Sequence, residues 1–301
     1  MTIPSCEPAD PLPCAPRTKL PIGTVDTHFH VFGPIEDYPF DPARGYTPPD
    51  ASLAQYEHLA GLLGFSRAVA VQPSVYGFDN SRILAVMREA TMPMRGIAVI
   101  DPRLPDSDLI RLHEQGIRGV RINPVFTAKA GFSIAKPLAD RIRPLGWHLQ
   151  FLADVSEIAE LARSVEALDI PVVFDHLGHI PTYKGTGNPG FQALLELVRE
   201  GRAWVKLSGA YRITAQHTMP PYSDVAPFAE ALVSANPERI LWASDWPHPS
   251  IAVPMPNDGD LTDMALGWVS DPDIRQKLFV TNAERLYGFE SVMPNHTAHE
   301  G

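Results

Sequence analysis

The sequence predicts a (β/α)8 barrel in a single domain, and three observations carry that reading. Short apolar runs rich in Val and Ile recur eight times along 301 residues, stretches with helical spacing separate them, and polar side chains gather where the first, sixth and eighth runs end. No Gly-rich turn follows the first run, which favours a barrel over a dinucleotide-binding sheet, and no internal repeat is present.

Residues 1–22 carry Pro4, Pro8, Pro11, Pro13, Pro16 and Pro21, whose rings remove amide donors and fix φ, so this stretch reads as an extended N-terminal arm. The barrel is expected over residues 23–290. Strands are expected at 24–30, 68–74, 95–101, 119–124, 148–154, 171–178, 203–209 and 240–247. Between them, 51–63, 80–91, 106–115, 155–168, 190–200 and 223–236 have apolar residues at helical spacing, and 132–145 does so more weakly. Residues 291–301 are polar and read as a loose tail.

Hydrophobic residues make up 45% and charged residues 20%, ordinary values for a chain that buries a core, so disordered and collagen-like classes are excluded. No apolar run approaches the ~20 residues of a membrane span, and no basic segment followed by an apolar stretch opens the chain; a cytoplasmic location is expected. Cys6 and Cys14 lie in the arm without the partners of a zinc ribbon or redox motif, and read as free thiols. A net charge of −10 without a basic cluster repels nucleic acid and anionic membranes. An anionic substrate must therefore be drawn in by individual arginines. Nothing in the sequence fixes an oligomeric state.

Alternate residues of a strand share a face, so His28 and His30 in the first run point the same way. Two imidazoles aimed inward from an apolar strand cost burial free energy unless hydrogen bonds, a ligand or a metal satisfies them. The sixth run ends Phe174-Asp175-His176, and the eighth ends Ala243-Ser244-Asp245-Trp246-Pro247-His248. Barrel closure brings the first and eighth strands side by side, and barrel enzymes keep their chemistry at strand C-termini.

With His-x-His on the first strand, Asp-His at the sixth and Ser-Asp-Trp-Pro-His at the eighth, the chain resembles the amidohydrolase superfamily, in the branch that contains 2-pyrone-4,6-dicarboxylate lactonase. The resemblance runs from about residue 23 to 288 and includes Val31-Phe32-Gly33-Pro34, Gly119-Val120-Arg121-Ile122-Asn123 and Val280-Thr281-Asn282-Ala283-Glu284-Arg285-Leu286-Tyr287. It implies a lactonase acting on a small anionic lactone. Asp245 matches the carboxylate that activates water; His28, His30 and His176 match the histidines around the scissile carbonyl. Arg121 and Arg212 match arginines that hold substrate carboxylates, and Tyr46 and Ser74 match polar contacts of the same pocket. Ser74 has the alternative of simply ending the second strand, and Arg212 that of a solvated loop charge. The chemistry agrees independently: a lactone needs a base for water, donors for the oxyanion and a cation for its carboxylate.

Two departures bear on substrate. The lactonase carries an arginine where this chain has Thr127, and a pocket tyrosine on the fifth strand where this chain has Leu152. A muconolactone or sulfomuconolactone is therefore as good a candidate as the pyrone dicarboxylate, with sugar-acid lactone hydrolysis or isomerisation, and metal-dependent decarboxylation, as alternatives; Arg44 or Lys129 would have to replace the missing cation if the dicarboxylate were preferred. A binuclear metal centre is not expected, because Arg121 stands where a bridging lysine or acid is required and His148 falls at the start of the fifth strand. A metal-independent site is expected, since Arg121 would repel a dication, with one Zn2+ held by His28, His30, His176 and Asp245 as the alternative.

Other residues are set aside. Lys206 shares a strand face with Ser208 and has no activating neighbour in the sequence, so it reads as structural or electrostatic. His179 and His248 lie just past strand ends, either lining the mouth or facing water. His58, His113, His217, His296 and His299 read as surface residues. The Gly185-x-Gly187 loop lacks the remainder of a phosphate-binding pattern.

Overall fold

The computed structural model describes residues 3–122 and 128–292, with the backbone alone at 128–133. Strands and helices alternate as β1 (Val25–Phe29), α1 (Leu53–Leu63), β2 (Arg67–Val71), α2 (Ser81–Glu89), β3 (Met94–Ala98), α3 (Asp106–Glu114), β4 (Ile117–Ile122), α4 (Ala128–Ile142), β5 (His148–Phe151), α5 (Leu161–Glu166), β6 (Val172–Phe174), α6 (Pro189–Arg199) and β7 (Ala203–Leu207). Two helices, α7 (Ala210–Ile213) and α8 (Ala226–Ala235), precede β8 (Ile240–Trp242), and α9 (Asp258–Gly267), α10 (Pro272–Gln276) and α11 (Asn282–Tyr287) follow it. Each strand pairs in parallel with the next from β1 to β8. The seam between β8 and β1 is closed just beyond the last strand, where the Asp245 amide donates to the His28 carbonyl and the His30 amide to the Trp246 carbonyl, both at 2.8 Å.

Local chemistry explains where helices start and stop. Ser52 and Gln55 form a capping box at the start of α1, and Gly64, at φ 91, ends it in the left-handed region. Asn188 caps α6, Pro189 takes its first turn, and Phe191, Leu194, Leu195 and Val198 are buried, each contributing roughly 1.5–3 kcal/mol of apolar burial. Val25, Val69, Val71, Ile97, Val173 and Leu241 form a second apolar cluster with Ala283, Tyr287 and Phe289 of the C-terminal segment, separate from the layer between strands and helices. This second cluster fills the barrel below the polar floor of the mouth.

The structure departs from the sequence expectations in several places. The expected helix 155–168 is split into a 3-10 turn, Val155–Glu157, and α5, because Glu160 adopts φ 54 between them. The sixth and eighth strands stop at Phe174 and Trp242, well before the expected ends; the chain turns out of the ladder there, with positive φ at His176 (51°) and Asp245 (61°). Helices α9, α10 and α11 were not anticipated. Residues 3–22 contain an isolated bridge, Ser5 to Thr47, and no helix. Asn257 binds this arm, donating to Asp10 Oδ2 (2.9 Å) and the Leu12 carbonyl (3.1 Å). Ser291 and Val292 are tied to Glu284 by 3.2 Å hydrogen bonds; the rest of the expected loose tail, residues 293–301 including His296 and His299, lies outside the described residues. No helix among the described residues is long and apolar enough to cross a membrane.

Candidate active site

Strand register and closure bring His28, His30, His176 and Asp245 together at the C-terminal mouth. The Nε2 atoms of His28 and His30 are 3.3 Å apart, and Asp245 Oδ1 lies 3.7 Å from Nε2 of both His28 and His176. Above them is a cavity of about 210 Å3 lined by His30, Tyr46, Ser74, Arg121, Leu152, His176, Arg212, Asp245, Pro249 and Ser250. All eight candidate residues therefore converge, with His28 beneath. A larger cleft of about 810 Å3, lined by Arg202, Trp204, Arg239 and Arg285 among others, contains no histidine and lies apart from this constellation.

Each ring is oriented by its other nitrogen. His30 Nδ1 donates to the Val71 carbonyl at 2.7 Å, which leaves Nε2 with its lone pair toward His28. His28 Nδ1 lies 3.2 Å from Asp175 Oδ1 and 3.2 Å from Lys206 Nζ. His176 Nδ1 lies 3.0 Å from Ser208 Oγ. Gly209, at φ 61, makes room for that ring: a Cβ there would sit 2.7 Å from His176 Nδ1. The buried Asp26 carboxylate staples β1 to the turn after β8, accepting from the Ser244 amide (2.9 Å), Ser244 Oγ (2.5 Å), the His28 amide (3.1 Å) and the Tyr56 hydroxyl (2.8 Å).

The two carboxylates of the site differ in what satisfies them. Asp175 Oδ2 accepts from Arg121 Nε (3.2 Å) and Gln150 Nε2 (3.1 Å), with Arg121 Nη2 at 3.2 Å. Asp245 Oδ2 accepts from Tyr211 OH (2.5 Å) and Arg212 Nε (2.6 Å). Asp245 Oδ1, fully buried, has no hydrogen-bond partner among the described residues. Burial alone would raise Asp245, but the Arg212 guanidinium holds it well below the usual carboxylate range; burial likewise opposes ionisation of Asp175, and His28, Lys206 and Arg121 overcome it. Burial pulls His30 and His176 down to about 3, and burial with the nearby Lys206 takes His28 well below its ordinary value. The result is neutral imidazoles around an ionised carboxylate with one oxygen unspent.

That donor set fits a single divalent cation. Zn–N bonds of ~2.0–2.1 Å put tetrahedral ligand atoms about 3.4 Å apart, close to the 3.3 and 3.7 Å separations found. Ligand atoms of His28, His176 and Asp245 all lie within 4.8 Å of one another, and Asp175, Val71 and Ser208 supply the outer partners that metal-bound imidazoles use. The charge of Arg121, expected to repel a dication, is paired with Asp175.

Several expectations are corrected by geometry. Lys206 does have charged neighbours: its fully buried ammonium donates to the Thr27 carbonyl and Gln150 Oε1, both at 2.9 Å, and lies 3.4 Å from Asp175 Oδ1, with burial lowering its pKa to about 8. Arg212 is no solvated loop charge; besides Asp245 it contacts the Pro249 carbonyl through both terminal nitrogens at 3.2 Å. Ser74 begins a 3-10 turn after β2 and hydrogen-bonds Tyr46, whose phenol burial pushes up. His248 is fully buried and does not face water, and His113 accepts from Trp147 Nε1 at 2.9 Å; His58 and His217 are exposed as expected. Arg44 spends Nε on Thr47 Oγ1 (3.0 Å) and Nη1 on the Asp41 carbonyl (3.3 Å). Thr127 and the side chain of Lys129 lie outside the described residues. Cys6 and Cys14 are free.

Asp175, Gln150, Lys206, Tyr211 and Asp258 were missed as site residues. Asp175 was legible beside His176, and Tyr211 is the neighbour of Arg212, but nothing in the sequence ties Asp258 to Asp245.

The amidohydrolase family profile matches residues 25–289. A 2-pyrone-4,6-dicarboxylate hydrolase of Comamonas testosteroni is 38% identical over 292 residues, covering 93% of this chain and 95% of that protein. A 4-sulfomuconolactone hydrolase of Hydrogenophaga intermedia is 37% identical, covering 90% and 91%. The crystal structure of an Agrobacterium tumefaciens protein without ligand superposes with a TM-score of 0.79 at 28% identity, covering 92% of this chain and all of that one. On this match, which takes in all eight strands and every residue of the mouth constellation, the chain belongs to the amidohydrolase family.

Proposed function

We propose that this protein hydrolyses a small lactone bearing a carboxylate or sulfonate group, of the kind produced in the breakdown of aromatic compounds. The observation that carries the reading is Asp245: an ionised, buried carboxylate whose Oδ2 is doubly held while Oδ1 opens toward three neutral imidazoles under a cavity edged by two guanidiniums. The lactone hydrolases among its relatives support the substrate class.

Asp245 Oδ1 takes a proton from water as the water oxygen bonds to the lactone carbonyl carbon. When the ring C–O bond breaks, that proton passes to the departing ring oxygen, and the products are an acid and a hydroxyl or its keto tautomer. An imidazole carrying its proton on Nε2 donates to the developing oxyanion. Arg121 and Arg212 hold the anionic substituent through charge-assisted hydrogen bonds. Both guanidiniums already serve protein carboxylates, and Leu152 makes part of the wall apolar, so donors for a second substrate anion are few among the described residues. We infer a preference for a lactone with one anionic group over 2-pyrone-4,6-dicarboxylate.

In this reading no metal is obligatory. A second reading adds one Zn2+ held by His28, His30, His176 and Asp245, and the clustering of donor atoms favours it specifically. A bound zinc ion would supply Lewis acidity toward the carbonyl and acidify water. The test is a panel of anionic lactones followed by ultraviolet absorbance, with metal analysis of protein purified without chelator. Ring opening of a mono-anionic lactone supports the proposal; release of CO2, or isomerisation without ring opening, contradicts it. Stoichiometric zinc whose removal abolishes turnover selects the second reading.

A further inference from the structure

Asp245 Oδ2 is the end of a buried chain. Tyr211 OH donates to Asp245 Oδ2 at 2.5 Å, His248 Nδ1 lies 2.7 Å from the same hydroxyl, and His248 Nε2 lies 3.0 Å from Asp258 Oδ1. Every residue of the chain is at most 3% exposed. Tyr211 stands on α7 just after β7, His248 in the turn after β8, and Asp258 in the first turn of α9, so three separate elements are linked in series to one carboxylate oxygen. Asp245 and His248 both adopt left-handed backbone, φ 61 and φ 60, conformations that non-glycine residues keep only where surroundings enforce them.

A buried row of polar groups costs more than apolar packing of the same volume unless something is gained from its direction. Here the direction is specific. Oδ2 receives two donors, from Tyr211 and Arg212, while Oδ1 receives none among the described residues, so the carboxylate is prevented from rotating and the unspent lone pairs are kept toward Nε2 of His28 and His176, 3.7 Å away.

We propose that Asp258, His248 and Tyr211 form a positioning relay for Asp245: Asp258 fixes the His248 ring, His248 fixes the Tyr211 hydroxyl, and Tyr211 locks the carboxylate with Oδ1 toward the substrate. Among the described residues none of the three lines the cavity, so they act through Asp245 as positioning residues. The inference rests on the reading of Asp245 as the water-activating group.

The experiment measures kcat and KM on the lactone opened fastest by the wild-type protein, for Tyr211→Phe, Asp258→Ala, their double variant, Asp258→Asn and Asp245→Asn, with circular dichroism and Tm to verify folding. Tyr211→Phe is expected to lower kcat about 10- to 100-fold, the range for outer partners of site ligands, with KM within twofold. Asp258→Ala should lower kcat in the same way, Asp258→Asn should recover most of that loss because its side-chain oxygen still accepts from His248, and the double variant should be no slower than Tyr211→Phe. A folded Tyr211→Phe with kcat within twofold of wild type overturns the relay, as does a double variant whose loss is the product of the single losses. If Asp258→Ala does not fold, Tyr211→Phe decides alone. An inactive Asp245→Asn beside a fully active Tyr211→Phe overturns only the relay; an active Asp245→Asn overturns both the relay and the reading it rests on.

Discussion

Replacing Arg121 by Met removes a guanidinium that does two jobs, and the structure separates their sizes. Toward the substrate it removes a charge-assisted hydrogen bond of roughly 1.5–3 kcal/mol, equivalent to about a 10- to 150-fold loss in kcat/KM on an anionic lactone. Toward the fold it removes the Nε and Nη2 contacts to Asp175 Oδ2, both at 3.2 Å. Stranding a buried carboxylate entirely costs about 3–5 kcal/mol, but Asp175 keeps Gln150 Nε2 at 3.1 Å and Lys206 at 3.4 Å, so about 1–3 kcal/mol is expected. That corresponds to a Tm lower by roughly 2–10 °C. The assay compares kcat/KM on a charged and a neutral lactone of the same ring size, alongside Tm. A neutral substrate feels the change only through Asp175 and His28 and should lose less than about fivefold, within the spread of a single weakened polar contact. Equal losses on the two lactones would refute the anchoring role of Arg121, and an unchanged Tm would refute its share in holding Asp175.

Acid should destabilise the protein well above ordinary carboxylate titration. Burial lowers His30, His148 and His176 to about 3, so between roughly 3 and 6.5 the unfolded chain binds more protons than the folded one and stability falls as pH falls; Asp26, raised to about 6 by burial, offsets part of this between roughly 4 and 6. Tm recorded from pH 7 to pH 4 should decline steadily, and a flat or rising Tm contradicts the neutral-histidine assignment. Lys206→Met should cost about 2–4 kcal/mol at pH 7, since it leaves the Thr27 carbonyl and Gln150 Oε1 without their donor and strips Asp175 of an ammonium. Urea unfolding measures it, and a midpoint equal to wild type would show that the buried ammonium carries no structural weight.

The barrel and the mouth constellation were legible in the sequence for a physical reason: strands buried on both faces read as apolar runs, and polar residues at their ends stand out against them. His28, His30, His176 and Asp245 were found in this way, and strand closure did the rest. The arginines were legible as charges but not in their full roles, because ion pairing with Asp175 or Asp245 depends on contacts spanning 54 and 33 positions in sequence. Lys206 reads as structural or electrostatic, which its buried bonds agree with, but its partners were not legible because Thr27 and Gln150 lie on β1 and β5 and only the rolled sheet puts them beside β7. Helices α9 to α11 escaped because they follow the last strand, where alternation no longer gives a frame. His248 could not be placed inward by pattern; its burial comes from the left-handed turn at residues 245–248 and from Asp258 waiting on α9.

The account turns on the free oxygen of Asp245, and Asp245→Asn tests it most directly. The amide oxygen can occupy the place of Oδ2 and accept from Tyr211 and Arg212 as before, at 2.5 and 2.6 Å in the wild type, while an NH2 group replaces the lone pairs that faced the cavity. The fold should therefore survive with a Tm close to wild type, and kcat on an anionic lactone should fall by about 10²-fold or more, the scale of general-base catalysis. A folded Asp245→Asn that opens the lactone within a few-fold of the wild-type rate would contradict the central claim.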